Sequence, residues 1–144
     1  MAPPLIQLND IDLSFGGTPL LEGAEMLVSP GDRLCLVGRN GSGKSTLMKI
    51  AAGLIEPDAG ERFVQPGATV RYLPQEPDMS GFDTVLAYVE AGLAPGDDLH
   101  IAARLLEQLS VDQAAAPANL SGGEARRAAL ARTLAPKPDV LLLD

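Results

Sequence analysis

The sequence predicts an α/β fold with a mostly parallel sheet, and three observations carry that expectation. Short apolar runs at residues 33–37 and 140–143 have the continuous character of buried parallel strands. Segments of helical period, with recognisable caps, alternate with such runs along the chain. At 144 residues, 46% hydrophobic and 21% charged, the chain is long and apolar enough for one cored domain, and too apolar to be disordered.

Residues 11–15, Ile-Asp-Leu-Ser-Phe, alternate apolar and polar, the pattern of a half-exposed strand. Gly16-Gly17-Thr18-Pro19 reads as a turn, and residues 20–28 supply a second extended segment. These strands are expected to form an antiparallel layer at the N-terminal end. Ser29-Pro30-Gly31-Asp32 suits a type II turn, with Pro30 presetting φ and Gly31 taking the positive φ. Residues 33–37 then read as a buried strand in which Cys35 is a small apolar filler, not a nucleophile. Residues 46–52 have helix formers at helical spacing, and Gly53 stands where a C-terminal cap belongs. A turn at residues 56–60 precedes two short strands, 61–65 and 69–73, separated by Pro66-Gly67. Asp83 is placed to cap a helix over 84–91 that ends at Gly92, and Pro95-Gly96-Asp97 breaks the chain before an amphipathic helix over 99–109. Residues 113–117 read as an alanine-rich linker. Ser121, with Glu124 three residues on, makes a capping box for a helix through Leu134. Pro136 and Pro138 follow it, and residues 140–144 form a strand with a carboxylate at its end. The mostly helical stretch 81–119 is expected to stand as a small lobe.

A formal net charge of −8 argues against broad, nonspecific binding to nucleic acid or anionic lipid. No apolar run approaches the ~20 residues of a membrane span. The Met-Ala-Pro-Pro start lacks the basic and apolar regions of a signal peptide, which points to a cytoplasmic location. A single cysteine excludes an internal disulfide. The single histidine, His100, falls in an amphipathic helix and reads as structural.

The chemistry concentrates in Gly38-Arg39-Asn40-Gly41-Ser42-Gly43-Lys44-Ser45, a complete G-x-x-x-x-G-K-[ST] phosphate-binding loop. Gly41 and Gly43 permit backbone angles at which successive N–H groups turn inward on an anion. Lys44 adds a point charge toward the β- and γ-phosphates, and the Ser45 hydroxyl is placed to ligate Mg²⁺. With Thr46 in the first helical turn, this stretch is the expected nucleotide contact, and the helix N-terminus faces the phosphates. Asp144 ends an apolar strand, where a carboxylate can hold Mg²⁺ directly or through water.

Four motifs therefore stand in order: the phosphate loop, Tyr72-Leu73-Pro74-Gln75-Glu76-Pro77, Leu120-Ser121-Gly122-Gly123-Glu124, and Val140-Leu141-Leu142-Leu143-Asp144. This order resembles the ATP-binding cassette (ABC) ATPases over residues 5–144. The resemblance implies a P-loop NTPase core and ATP with Mg²⁺ as cofactors. It implies that Ser121, Gly122, Gly123 and Glu124 contact the γ-phosphate of ATP on a second cassette, in a head-to-tail sandwich. Gln75 would sense Mg²⁺ and the attacking water, acting in catalysis with Lys44, and the metal would be shared by Ser45, Gln75 and Asp144. Phe15 would stack on adenine, where tyrosine is more usual.

In that family a glutamate follows the strand-ending aspartate as general base, and a later loop supplies a histidine to the γ-phosphate. This sequence ends at Asp144, so residues 1–144 are expected to be a partial cassette, incomplete at the C-terminus. Such a chain would bind ATP, hydrolyse it hardly faster than background and self-associate through uncovered apolar surface. Tyr-Leu-Pro-Gln-Glu-Pro and Leu-Ser-Gly-Gly-Glu-Ala-Arg-Arg further resemble the soluble, tandem-cassette ABC-F proteins that act on ribosomes, in particular their N-terminal cassette. An ATP-binding subunit docked on a transmembrane transporter partner is the alternative. A nucleotide-dependent dimerisation module without turnover is an alternative of another class.

Overall fold

The computed structural model of the chain describes residues 3–39 and 42–144. It divides into two compact units, one running to Tyr72 and including Asp144, the other spanning Leu73–Leu143.

In the first unit, strands β1 (Ile6–Phe15), β2 (Thr18–Val28) and β3 (Ala59–Val64) make an antiparallel sheet in the order β2-β1-β3. This is the expected N-terminal antiparallel layer, with β1 beginning earlier than residue 11. The alternation of β1 explains why. Ile6 and Leu8 are buried, then Ile11 and Leu13, so the apolar phase slips by one residue between the two pairs. A β-bulge absorbs the slip: pairing is irregular between Leu8 and Ile11, and Asp10 has φ 50°. Both apolar pairs thereby face one core. Gly16 and Gly17, both at positive φ, form a two-residue hairpin turn closed by the Phe15–Thr18 pair. Gly31 takes φ 83° in the predicted turn, where the Asp32 N–H donates to the Ser29 carbonyl at 3.1 Å.

Helix α1 (Lys44–Ala51) ends as expected. Gly53 has φ 81°, its N–H bonds to the Ile50 carbonyl and the Leu54 N–H to Lys49. That is a Schellman cap. Arg62 on β3 adds two N–H donors, at 3.0 and 3.2 Å, to the Ala51 carbonyl, placing positive charge at the helix C-terminus.

The strand expected at residues 33–37 is absent. Leu34 is 58% and Val37 88% exposed, and Cys35 is exposed rather than buried. An apolar run becomes a strand only when a neighbour receives its N–H and C=O groups. Among the described residues, neither sheet offers these residues a ladder.

Strands β4 (Val70–Leu73) and β5 (Val140–Leu143) form a second, two-stranded sheet. The chain between them runs through helices α2 (Val85–Glu90), α3 (His100–Gln108) and α4 (Gly122–Leu134), the kind of long crossover that a parallel pair requires. In the second unit these three helices share one core of Leu73, Val85, Tyr88, Val89, Ala102, Leu106 and the α4 alanines Ala128, Ala129 and Ala131. The small side chains let α4 approach its neighbours closely. Gly92 serves that approach, since a Cβ there would lie 2.6 Å from Arg132 Cγ and 2.7 Å from its carbonyl oxygen.

Two expectations change here. Thr84, not Asp83, caps α2, its hydroxyl accepting from the Ala87 N–H at 3.1 Å. Asp83 stands one residue too early for that bond. The alanine-rich stretch 113–117 is a cap and not a bare linker. Its Gln113 and Ala115 carbonyls accept from the Leu86 and Val85 N–H groups at 3.0 and 2.9 Å. These are N-terminal donors of α2 that the helix itself cannot satisfy. His100 is exposed at the start of α3.

Candidate nucleotide-binding site

The first unit holds the phosphate loop. Asn40 and Gly41 lie outside the described residues; Gly38, Arg39, Ser42, Gly43, Lys44, Ser45 and Thr46 lie within them. The Ser42 N–H donates to the Arg39 carbonyl at 3.1 Å. Gly43 is required twice over. It has φ 94°, and a Cβ there would come 2.9 Å from Leu21 Cδ2 on β2. It is also the N-cap of α1, and among the described residues no side chain makes a capping bond there. The N–H donors of the first turn and the positive end of the helix therefore suit an anion. Lys44 Nζ arches back to donate to the Gly38 carbonyl at 2.7 Å, tying the two ends of the loop together.

Ser45 and Asp144, 99 residues apart in sequence, meet. The Ser45 hydroxyl donates to Asp144 Oδ1 at 2.9 Å, and the Tyr72 hydroxyl donates to Oδ2 at 2.6 Å. Burial first, and then the hydrogen bond and charge of Asp144, push the Tyr72 phenol well above its ordinary pKa, so it remains a proton donor. The donor set fits Mg²⁺. Octahedral Mg–O bonds of about 2.0–2.1 Å put adjacent ligand oxygens about 2.8–3.0 Å apart, a range that includes the Ser45–Asp144 separation of 2.9 Å. Ser45 and Asp144 would each hold the metal through an oxygen lone pair, and its charge would offset that of phosphate beside the loop.

Phe15, at the end of β1, is 56% exposed, so it is not a core aromatic and presents an open face. Gln75, Ser121, Gly122, Gly123 and Glu124 belong to the second unit. Gln75 is exposed, and its carbonyl and that of Pro74 accept from the Arg126 guanidinium at 2.6 and 3.0 Å. No sequence motif gave Arg126 a role, although it stands on the helix that Ser121 caps. None gave Tyr72 a role either.

The capping box of α4 is complete. Ser121 Oγ accepts from the Glu124 N–H at 3.1 Å, and Glu124 Oε1 accepts from the Ser121 N–H at 3.0 Å. The backbone N–H of Ser121, and then its side chain, hold the Glu124 carboxyl below its ordinary pKa. A pKa lowered by folding contributes stability that is present at neutral pH and lost as pH falls through the folded value. Amide exchange at Ser121 should therefore accelerate, beyond its intrinsic pH dependence, as pH drops below the usual carboxylate range. Glu124→Gln, whose amide oxygen still accepts, should show no such step.

Gly122 and Gly123 have ordinary φ, and added Cβ atoms would meet nothing closer than Arg127 at 3.8 Å. Nothing among the described residues requires glycine at the start of α4, where it lowers helix propensity.

The sequence pattern described as "ABC transporter" matches residues 21–144. The chain belongs to the ABC transporter family. ATP-binding protein Uup of Caulobacter vibrioides is 50% identical over 142 residues, which cover 98% of this chain and 23% of that protein. Aliphatic sulfonates import ATP-binding protein SsuB 1 of Rhizobium johnstonii is 38% identical, over 99% of this chain and 56% of its own length. Zinc import ATP-binding protein ZnuC of Pseudomonas putida is 32% identical, over 100% and 57%. The chain thus spans about a quarter to somewhat over half the length of these curated relatives. The solved ATP-binding subunit of an ABC transporter superposes with a TM-score of 0.86 at 21% identity, over 97% of this chain and 65% of that one. A metal-chelate-type ABC transporter superposes with 0.80 at 24%, over 98% and 59%. These likenesses establish the fold, an α/β P-loop NTPase cassette. The chain is an ATP-binding cassette sequence, and no helix among its described residues is long and apolar enough to cross a membrane.

Proposed function

We propose that this ABC cassette binds Mg-ATP through Gly38–Thr46, Ser45 and Asp144, and that the longer protein of which it is part hydrolyses ATP to drive a conformational cycle. The meeting of Ser45 and Asp144 at a magnesium-compatible separation carries this reading. Lys44 and Gln75 act on the reacting phosphate and water, Gln75 also senses the metal, and Phe15 stacks on the base. Ser121, Gly122, Gly123 and Glu124 meet the nucleotide of a second cassette, head to tail. Support for that last role is the unexplained glycines, whose lack of side chains leaves room for something outside the chain. Residues 1–144 form one partial cassette, with 81–119 as its helical lobe.

The cassette is of the soluble, cytoplasmic ABC-F type and acts on the ribosome. The Tyr-Leu-Pro-Gln-Glu-Pro and Leu-Ser-Gly-Gly-Glu-Ala-Arg-Arg motifs support this branch. So does the length of the 50%-identical relative: an equivalent match fills 23% of it but 56% of the sulfonate-import relative, so it is more than twice as long and has room for two cassettes. A second reading, a subunit docked on transmembrane partners, is supported by the import relatives matched over nearly the whole chain. Pelleting the full-length protein with ribosomes or with membrane vesicles tests the choice. Ribosome pelleting that appears with a nonhydrolysable ATP analogue and disappears with ADP is expected. Pelleting only with vesicles that carry transporter subunits would establish the second reading. ATP-dependent dimerisation without phosphate release by the full-length protein would instead reveal a dimerisation module.

A further inference from the structure

We infer that Tyr72 is a positioning residue, which holds the Asp144 carboxylate so that Oδ1 and the Ser45 hydroxyl present a ready-made edge to a divalent cation. The inference rests on the Mg-ATP reading of the loop and goes beyond it by adding a residue that touches neither nucleotide nor metal.

The terminal torsion of an aspartate is soft, so a carboxylate held at one oxygen still swings. Here the two oxygens are divided. Ser45 Oγ takes Oδ1 at 2.9 Å and Tyr72 Oη takes Oδ2 at 2.6 Å. When a cation occupies Oδ1 and a lone pair of the Ser45 oxygen, the hydroxyl keeps its proton but turns it away, so that first bond is lost as a restraint. The Tyr72 bond is not, because it lies on the other oxygen. Tyr72 suits this role. It stands near the end of β4, and its ring has only two side-chain torsions to fix. A half-buried tyrosine merely satisfying its hydroxyl would need no carboxylate that also meets the loop serine.

The test is the Mg²⁺ dependence of ATP binding by Tyr72→Phe in the full chain. Loss of a hydrogen bond to a charged group should raise half-saturating Mg²⁺ by about tenfold. ATP affinity in EDTA should stay at the wild-type value, and the chain should still unfold in a single cooperative melt. An unchanged Mg²⁺ midpoint overturns the inference, as does an equal loss of affinity with and without Mg²⁺, which would mark Tyr72 as a structural residue. Wild-type chain that binds no ATP at all refutes the nucleotide site itself, a result distinguishable from both. A spectroscopic arm does not depend on how Tyr72→Phe folds. The chain has no tryptophan and two tyrosines, and Tyr88 sits in the helical core of the other unit. In Tyr88→Phe the emission comes from Tyr72 alone, and adding Mg²⁺ to the ATP-bound chain should change it. Emission indifferent to Mg²⁺ would also overturn the inference.

Discussion

Lys44→Ala is expected to weaken Mg-ATP binding by roughly ten- to a hundredfold, the equivalent of about 1.5–3 kcal/mol for a hydrogen bond to a charged group. Lys44 Nζ rests on the Gly38 carbonyl at 2.7 Å. A phosphate oxygen competes for the same donor with a full charge where the carbonyl has only a dipole. The lysine is only partly buried, so the fold should tolerate its loss. Calorimetric titration with Mg-ATP, beside a melting curve, separates the two effects. Lys44→Arg should recover only part of the affinity, because a planar guanidinium does not reproduce a compact ammonium. Equal affinity in Lys44→Ala and wild type would remove Lys44 from the site.

The largest effect on stability is expected at Gly60→Ala. Gly60 has φ 102°, and a Cβ there would lie 2.6 Å from the Asn9 carbonyl oxygen and collide with that of Asp10. It faces the bulge of β1, where pairing with β3 is irregular between Asn9 and Asp12. The strained backbone costs about 1–3 kcal/mol and the forced displacement of two carbonyls about 1–3 more, so a loss of roughly 2–6 kcal/mol is expected. Gly67 supplies the control. Its φ is 84°, but a Cβ would meet nothing within 4 Å. Gly67→Ala should therefore show only the backbone share. Urea denaturation at an unchanged slope measures both. Equal losses at the two positions would show that the β1–β3 approach is looser than 2.6 Å implies.

What could be read without a structure is what neighbouring residues settle among themselves. Gly16-Gly17, Ser29-Pro30-Gly31-Asp32, the Gly53 cap and the Ser121–Glu124 box all close hydrogen bonds within a few residues or need a φ that glycine alone takes cheaply. They are legible because both partners lie within one short window. The phosphate loop is legible for the same reason, since glycine spacing, lysine and serine are local to one turn that opens a helix. Long-range folding set the rest. Residues 33–37 are as apolar as a strand needs to be, yet extended pairing requires another segment's backbone, and composition cannot say whether one comes alongside. The Gln113 and Ala115 carbonyls cap a helix some 28 residues earlier in the chain, and their alanine-rich setting gives no sign of it. Gly92 is glycine because Arg132 crosses it, 40 residues on. Tyr72, Ser45 and Asp144 are each ordinary in their own windows. They meet only because folding brings a hydroxyl to each oxygen of a single carboxylate, and short-range rules of φ and capping carry no information about such distant encounters.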